Sequence, residues 1–162
     1  MKIRYLVCAC LISSCSTFAS AIDAPSGKAV LTISGNISQQ GKVLIFDEAQ
    51  LDRLPQAEIR TKTPWYKGEH VFSGPLLKDV LALAGSKGKV LHVKAINDYA
   101  IQIPASDANL GAILARKLDG KKLTIRDKGP LFLIYPFDAK PELHVETYYS
   151  RSVWQLKSIQ VE

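Results

Sequence analysis

Residues 129–136 read Gly129-Pro130-Leu131-Phe132-Leu133-Ile134-Tyr135-Pro136, and this stretch decides the fold class. Five apolar side chains follow one another between a Gly-Pro step and a proline. A short, bounded, unbroken apolar run of this kind predicts a strand buried in a core. Working outward, Ile113 to Leu118, Asp119-Gly120 and Leu123 to Ile125 read as a hairpin just upstream. Val90 to Ile96, a turn at Asn97-Asp98 and Tyr99 to Ile103 read as another. Downstream, Phe137 to Glu146 is irregular, and Val153 to Val161 is a closing strand. Its simple alternation puts Val153, Gln155, Lys157, Ile159 and Val161 on one face and Trp154, Leu156 and Ser158 on the other.

The first half adds strands at Ala29–Ser34, Val43–Phe46 and Ala57–Thr61. A short helix over Glu48–Leu54 is capped by Asp47 and stopped by Pro55. Thr63-Pro64-Trp65-Tyr66-Lys67-Gly68 reads as a loop. Leu76, Leu77, Val80, Leu81 and Leu83 follow helical spacing until Gly85. No repeat, low-complexity tract or linker interrupts the chain. The expectation is one α+β domain, mostly β, over residues 22–162.

The N-terminal residues read as an export signal. Lys2 and Arg4 precede an apolar run from Tyr5 to about Ile12, which is shorter than the roughly 20 residues a membrane span needs. Ala19-Ser20-Ala21 is a small-x-small cleavage site, which makes 1–21 a signal peptide and places the domain in the periplasm as a soluble protein. Ile12-Ser13-Ser14-Cys15 is the alternative, a lipobox whose Cys15 would carry the lipid anchor. All three cysteines, Cys8, Cys10 and Cys15, fall in this leader. Cleavage after Ala21 therefore leaves no disulfide, thiolate ligand or cysteine nucleophile. The leader also removes two positive charges from the formal +6, so the domain is mildly basic. Ordinary solubility accounts for that excess. No basic run with interleaved aromatics suggests nucleic acid as a partner.

The motifs of common catalysis are absent from the sequence. His70, His92 and His144 stand at no metal-ligand spacing, and there is no H-E-x-x-H. Ser73-Gly74 has no nucleophile-elbow context, and no phosphate-binding glycine pattern occurs. What remains is three groups of aromatic and polar residues in predicted loops: Thr63-Pro64-Trp65-Tyr66, Asn97-Asp98-Tyr99, and Glu146-Thr147-Tyr148-Tyr149-Ser150-Arg151. Flat rings beside directional hydrogen-bonding groups suit a planar, polar heterocycle, stacked on its face and read at its edge. A carboxylate such as Asp98 can take two parallel N–H bonds from an amino-pyrimidine edge. The same residues also serve as lids over a small core or as an ordinary Asn-Asp turn.

Three segments carry a family resemblance. Phe72-Ser73-Gly74-Pro75-Leu76-Leu77-Lys78-Asp79-Val80-Leu81 resembles the G-V-P-L-x-D-L-L segment of the sulfite-oxidase-type molybdopterin-binding fold. Residues 129–136 resemble its G-P-L-x-L-x-x-P strand. Tyr149-Ser150-Arg151-Ser152-Val153-Trp154-Gln155-Leu156 resembles its closing R-S-V-K-W-L strand. The three lie in the family's order over nearly all of residues 22–162. Two departures stand out. Thr61 occupies the place of the cysteine that ligates molybdenum, where a hydroxyl is a poor substitute for a soft thiolate. Trp154 replaces a lysine that would suit an anionic cofactor.

Small periplasmic pterin-binding regulatory proteins, the PruR group, are similar in both respects. The resemblance implies a pterin ligand without molybdenum and no enzymatic activity. It implies regulation of a membrane-bound cyclic-di-GMP signalling protein, a diguanylate cyclase/phosphodiesterase, through its periplasmic domain. The implied pocket is Thr63, Trp65, Tyr66, Asn97, Asp98, Tyr99, Tyr149, Arg151 and Trp154. Trp65 or Trp154 would stack, Asp98 would read the amino-pyrimidine edge, and Arg151 would meet the ring carbonyl or side chain. Two alternatives stand beside it. One is a molybdopterin-dependent oxidoreductase of the sulfite oxidase type with an atypical metal site. The other is an interaction module whose pocket is only a remnant.

Overall fold

The computed structural model of the chain describes residues 24–38 and 43–162. The expected signal peptide, its cleavage site and the Cys15 lipobox lie outside the described residues.

Strands β1 (Ala29–Gly35) and β2 (Val43–Asp47) pair antiparallel. Asp47 then caps α1 (Glu48–Arg53) with a capping box: its carboxylate accepts from Gln50 N, and its own N–H donates to Gln50 Oε1, both at 2.8 Å. The other carboxylate oxygen accepts from the N–H groups of Ser26 and Gly27, each at 2.8 Å. These bonds hold the Asp47 carboxyl below its ordinary range, the Gln50 N–H first; burial opposes them and those from Gly27 and Ser26 add to them. The folded-state pKa is depressed, so the stabilisation is present above the unfolded carboxyl value of about 4 and is lost as pH falls through the folded value. Asp47→Asn is therefore expected to lose less stability than the parent between neutral pH and pH of about 3, measured by urea denaturation. Equal losses would remove Asp47 from the acid sensitivity.

Strands β3 (Gln56–Thr63) and β4 (Tyr66–Pro75) form a long hairpin whose turn is Pro64-Trp65 alone. The predicted six-residue loop is corrected to two residues. Pro64 lacks an N–H, and at the turn none is required of it. Helix α2 (Leu77–Ala84) buries Leu77, Val80, Leu81 and Ala84, and Gly85 ends it at φ 61°, the left-handed cap conformation. Strands β5 (Val90–Ala95) and β6 (Ala100–Pro104) make the predicted hairpin.

The second predicted hairpin is not formed as expected. β7 (Ile113–Ala115) leaves to pair with β10 (Phe132–Ile134). Only the two-residue strands β8 (Lys117–Leu118) and β9 (Lys121–Lys122) remain around Asp119-Gly120. Residues Glu146–Arg151, expected as loop, are helix α3, which has no side-chain cap. In β11 (Leu156–Val161) the alternation is corrected as well. Gln155 sits at φ 50° and the register shifts between Leu156 and Ser158, so Leu156, Ile159 and Val161 are the buried set.

The five-stranded sheet has the order β2-β1-β11-β5-β6, with β1 and β11 parallel, and the four-stranded sheet the order β3-β4-β8-β9. The β7–β10 pair lies between two cores. Leu131, Leu133 and Tyr135 point into the core of the larger sheet, while Phe132 and Ile134 join Ile59, Phe72 and Ile113 in the second. Burial on both faces is why residues 131–135 carry no polar alternation. Gly74 permits the close approach of β4 to β7, since a Cβ there would sit 2.0 Å from Leu114 O. The resulting domain is α+β and mostly β.

Candidate functional site: an aromatic cleft

The Pro64-Trp65 turn projects the indole to where the two cores meet, and Trp65 packs against both. Around it stand Phe132 at a ring-centroid distance of 5.1 Å, Trp154 at 6.0 Å and Tyr149 at 6.2 Å, all at steep interplanar angles. Edge-to-face contacts of this kind hold the indole in one orientation. Beside it opens a cleft of about 380 Å³, within the range that takes a small cofactor.

Four segments wall the cleft. Pro64 and Trp65 come from the β3–β4 turn. Ala95, Asn97 and Tyr99 come from the β5–β6 hairpin. Glu146, Tyr149 and Ser150 come from α3, where spacings of three and four put them on one helical face. Ser152, Val153 and Trp154 lead into β11. The Tyr99 hydroxyl donates to Ser150 O at 3.0 Å, which ties the hairpin to α3 across one end. Trp154 is 38% exposed and stands at the rim, with Lys128 Nζ 5.6 Å from its ring centroid.

Of the nine residues expected in the pocket, Trp65, Asn97, Tyr99, Tyr149 and Trp154 line the cleft, and Thr63, Tyr66, Asp98 and Arg151 do not. Asp98 is turned outward by a left-handed backbone at φ 65°. Its carboxylate is held by Lys94 at 3.0 Å and Lys157 at 3.1 Å, which lower its pKa in that order. It has no geometry for reading a ring edge in the cleft. Arg151 lies on the opposite face of α3 from Tyr149. Its guanidinium is drawn under the helix to Asp107 at 3.1 Å and over the Tyr148 ring at 5.2 Å. Tyr66 is on β4, its ring against the second core and its hydroxyl donating to Asp127 O at 3.1 Å. Thr63 ends β3, with a buried hydroxyl that finds no partner among the described residues.

Sequence reasoning missed Ala95, Ser152 and Val153, which carry no chemical signal. It also missed Asp138 and His144 behind Tyr149. His144 Nε2 lies 2.9 Å from Asp138 Oδ1, and its Nδ1 lies 2.9 Å from the Tyr149 hydroxyl. The signal available was the five-residue spacing of His144 and Tyr149, which points to no particular fold. Burial would raise the Asp138 carboxyl, but the hydrogen bonds from Lys62 N–H and His144 lead the effects that outweigh it and hold the pKa below its ordinary value.

The sulfane dehydrogenase SoxCD from Paracoccus pantotrophus has a chain that superposes with a TM-score of 0.62 at 20% identity, covering 81% of this chain and 37% of its own. The fold is of the sulfite-oxidase type. This chain thus spans little more than a third of the dehydrogenase chain it matches. No family model and no curated protein matches it. The expectation that the chain is not an enzyme is corrected by this likeness, because the fold is one that an oxidoreductase carries.

The sequence resemblance sets Thr61 in the place of a molybdenum-ligating cysteine. Thr61 is fully buried, and its hydroxyl donates to Lys62 O at 3.2 Å and accepts from Asp138 N at 3.0 Å. A hydroxyl engaged on both sides within the wall does not fit the part of a metal-bound thiolate. Among the described residues, no three His, Cys, Asp or Glu side chains gather in a way that could hold a metal ion. The aromatic cleft has a size and lining of the kind that takes a planar heterocycle.

Proposed function

We propose that this chain binds a pterin-type group in the aromatic cleft and acts as an oxidoreductase of the sulfite-oxidase type whose metal site is atypical, in that the protein supplies no thiolate. The observation that carries the reading is the cleft itself. Trp65, Tyr99, Tyr149 and Trp154 line a volume of about 380 Å³, on a fold shared with a dehydrogenase. One of the two indoles, Trp65 or Trp154, would pack against the heterocycle, and Asn97 and Glu146 would meet its polar periphery. The group would supply the redox chemistry, and the protein would supply orientation and shelter from water.

A second reading is favoured by one specific observation, the fully buried Thr61 hydroxyl at the thiolate's place. In it, a reduced pterin without molybdenum controls how the domain docks on the periplasmic domain of a membrane-bound cyclic-di-GMP signalling protein. This is the role of the PruR group.

The test joins two measurements on protein taken from the envelope of cells with an intact cofactor pathway. One is elemental analysis for molybdenum. The other is a titration with reduced pterins followed by quenching of Trp65 and Trp154. Molybdenum together with saturable pterin binding at micromolar or tighter affinity, about −8 kcal/mol, is the expected result. Pterin binding without metal selects the second reading. No binding of any pterin overturns both. Within the titration, Trp154→Ala is expected to weaken binding about tenfold (~1.4 kcal/mol) with little change in melting temperature, since the ring stands at the rim.

A further inference from the structure

Asp138 joins two walls of the cleft. Its N–H donates to the Thr61 hydroxyl at 3.0 Å, and its Oδ2 accepts the Lys62 N–H at 3.0 Å, fixing the end of β3 that carries the Pro64-Trp65 turn. Its Oδ1 meets His144 Nε2 at 2.9 Å, and His144 Nδ1 meets the hydroxyl of Tyr149, which lines the cleft, at 2.9 Å. A carboxylate only accepts, so the proton of neutral His144 belongs on Nε2. That leaves Nδ1 bare, and the Tyr149 hydroxyl must donate to it. Once His144 is protonated, both ring nitrogens are donors. The Tyr149 oxygen then accepts from Nδ1–H, and its own proton is released to another acceptor.

We propose that Asp138 and His144 are positioning residues that set the hydrogen-bond polarity of Tyr149 in the cleft. The hydroxyl presents a lone pair to the ligand when His144 is neutral and a proton when His144 is charged. The inference rests on the pterin reading and deepens it, because a pterin ring carbonyl or unprotonated ring nitrogen is an acceptor. Such an edge gains a bond to Tyr149 only in the charged state of His144. No bond to carbon or metal changes. One proton enters at His144 Nδ1, and the hydroxyl proton reorients.

The groups that face His144 are few. Asp138 comes from the loop after β10 and Tyr149 from α3, while the Phe137 ring packs at 5.5 Å and carries no charge. Lys140, on the same loop, donates to Leu110 O instead. Among the described residues, no other charged side chain pairs with His144. Its side chain is 35% exposed, so protons reach it from solvent.

The test uses the full chain. Long-range proton–nitrogen NMR is expected to show His144 as the Nε2–H tautomer at high pH, with the Tyr149 ring signals moving as His144 titrates. His144→Gln should abolish that movement. Affinity for dihydroneopterin is expected to rise about tenfold on passing from the neutral to the protonated form of His144. Tyr149→Phe should bind with a flat pH profile. An Nδ1–H tautomer, or a Tyr149→Phe variant that keeps the parent's pH profile, overturns the inference. If dihydroneopterin binds at no pH, the pterin reading fails and takes the ligand half of this inference with it. The tautomer and the Tyr149 signals, read without ligand, still decide whether the pair sets the hydroxyl.

Discussion

Trp65→Ala is expected to abolish ligand binding and to destabilise the domain at the same time. Among the described residues, the indole is the one side chain that lines the cleft and packs against both cores, with Phe132 at 5.1 Å, Phe137 at 6.5 Å and Tyr149 at 6.2 Å. Removing a buried Trp or Phe costs roughly 3–5 kcal/mol, and a half-buried one proportionally less, so a loss of about 2–3 kcal/mol is expected. Calorimetric melting and a pterin titration at a temperature where the variant is folded separate the two effects. The contrast with Trp154→Ala makes the expectation specific, because that residue lines the same cleft from the rim. A Trp65→Ala variant that melts like the parent would mean that the junction of the two cores does not depend on this ring. One that binds like the parent would move the ligand out of the cleft.

The second large effect belongs to Asp107→Ala. Asp107 is 4% exposed on the 3₁₀ turn at Ala105–Leu110, and it holds both the Tyr135 hydroxyl at 2.9 Å and the Arg151 guanidinium at 3.1 Å. Burial and then the neighbouring Asp107 charge push the Tyr135 phenol far above its ordinary range, so the tyrosine stays a neutral donor. Deleting the carboxylate strands a half-buried guanidinium and a buried hydroxyl together. Breaking a buried pair from one side costs about 3–5 kcal/mol. Urea denaturation of Asp107→Ala should show this loss. Pairing it with Arg151→Met should recover most of it, because both charges then leave the interior. A single variant as stable as the parent would show that solvent reaches the pair freely. The cluster lies behind α3, the helix that bears Tyr149, so the double variant also tests how far the cleft depends on it.

Much of the local structure was legible in the sequence. The alternation of Ala29–Ser34, the Asp47 cap, the helical spacing ending at Gly85 and the Asn97-Asp98 turn each encode their element over a few neighbouring residues. The run at 131–135 announced a buried strand, and the fold bears that out. The errors came where a partner far along the chain outweighs local preference. Ile113–Ala115 reads as one arm of a hairpin, but β10 and the approach of Gly74 claim it. Glu146–Arg151 has no capping signal, and its two faces are held by the cleft on one side and the Asp107 cluster on the other. The alternation after Val153 fails because Gln155 turns the chain over.

For the site the division follows the same cause. The sequence by itself determined the residue types: aromatic groups at 65, 99, 149 and 154, a threonine at 61 and no cysteine after position 15. It could not say which of them face one another, because side-chain direction in a turn or short helix is settled by whatever packs behind it. Asp98 and Arg151 looked as suited to a pterin edge as any residue here, yet lysines on β5 and β11 hold the first and Asp107 draws the second beneath its helix. The tertiary structure alone decided that Trp65 stands between two cores and that Asp138 and His144 stand behind Tyr149. The Trp65 contacts and the bond from Asp138 N–H to Thr61 join segments dozens of residues apart, and Asp138, His144 and Tyr149, though near in sequence, meet across irregular chain whose path no periodicity or cap encodes.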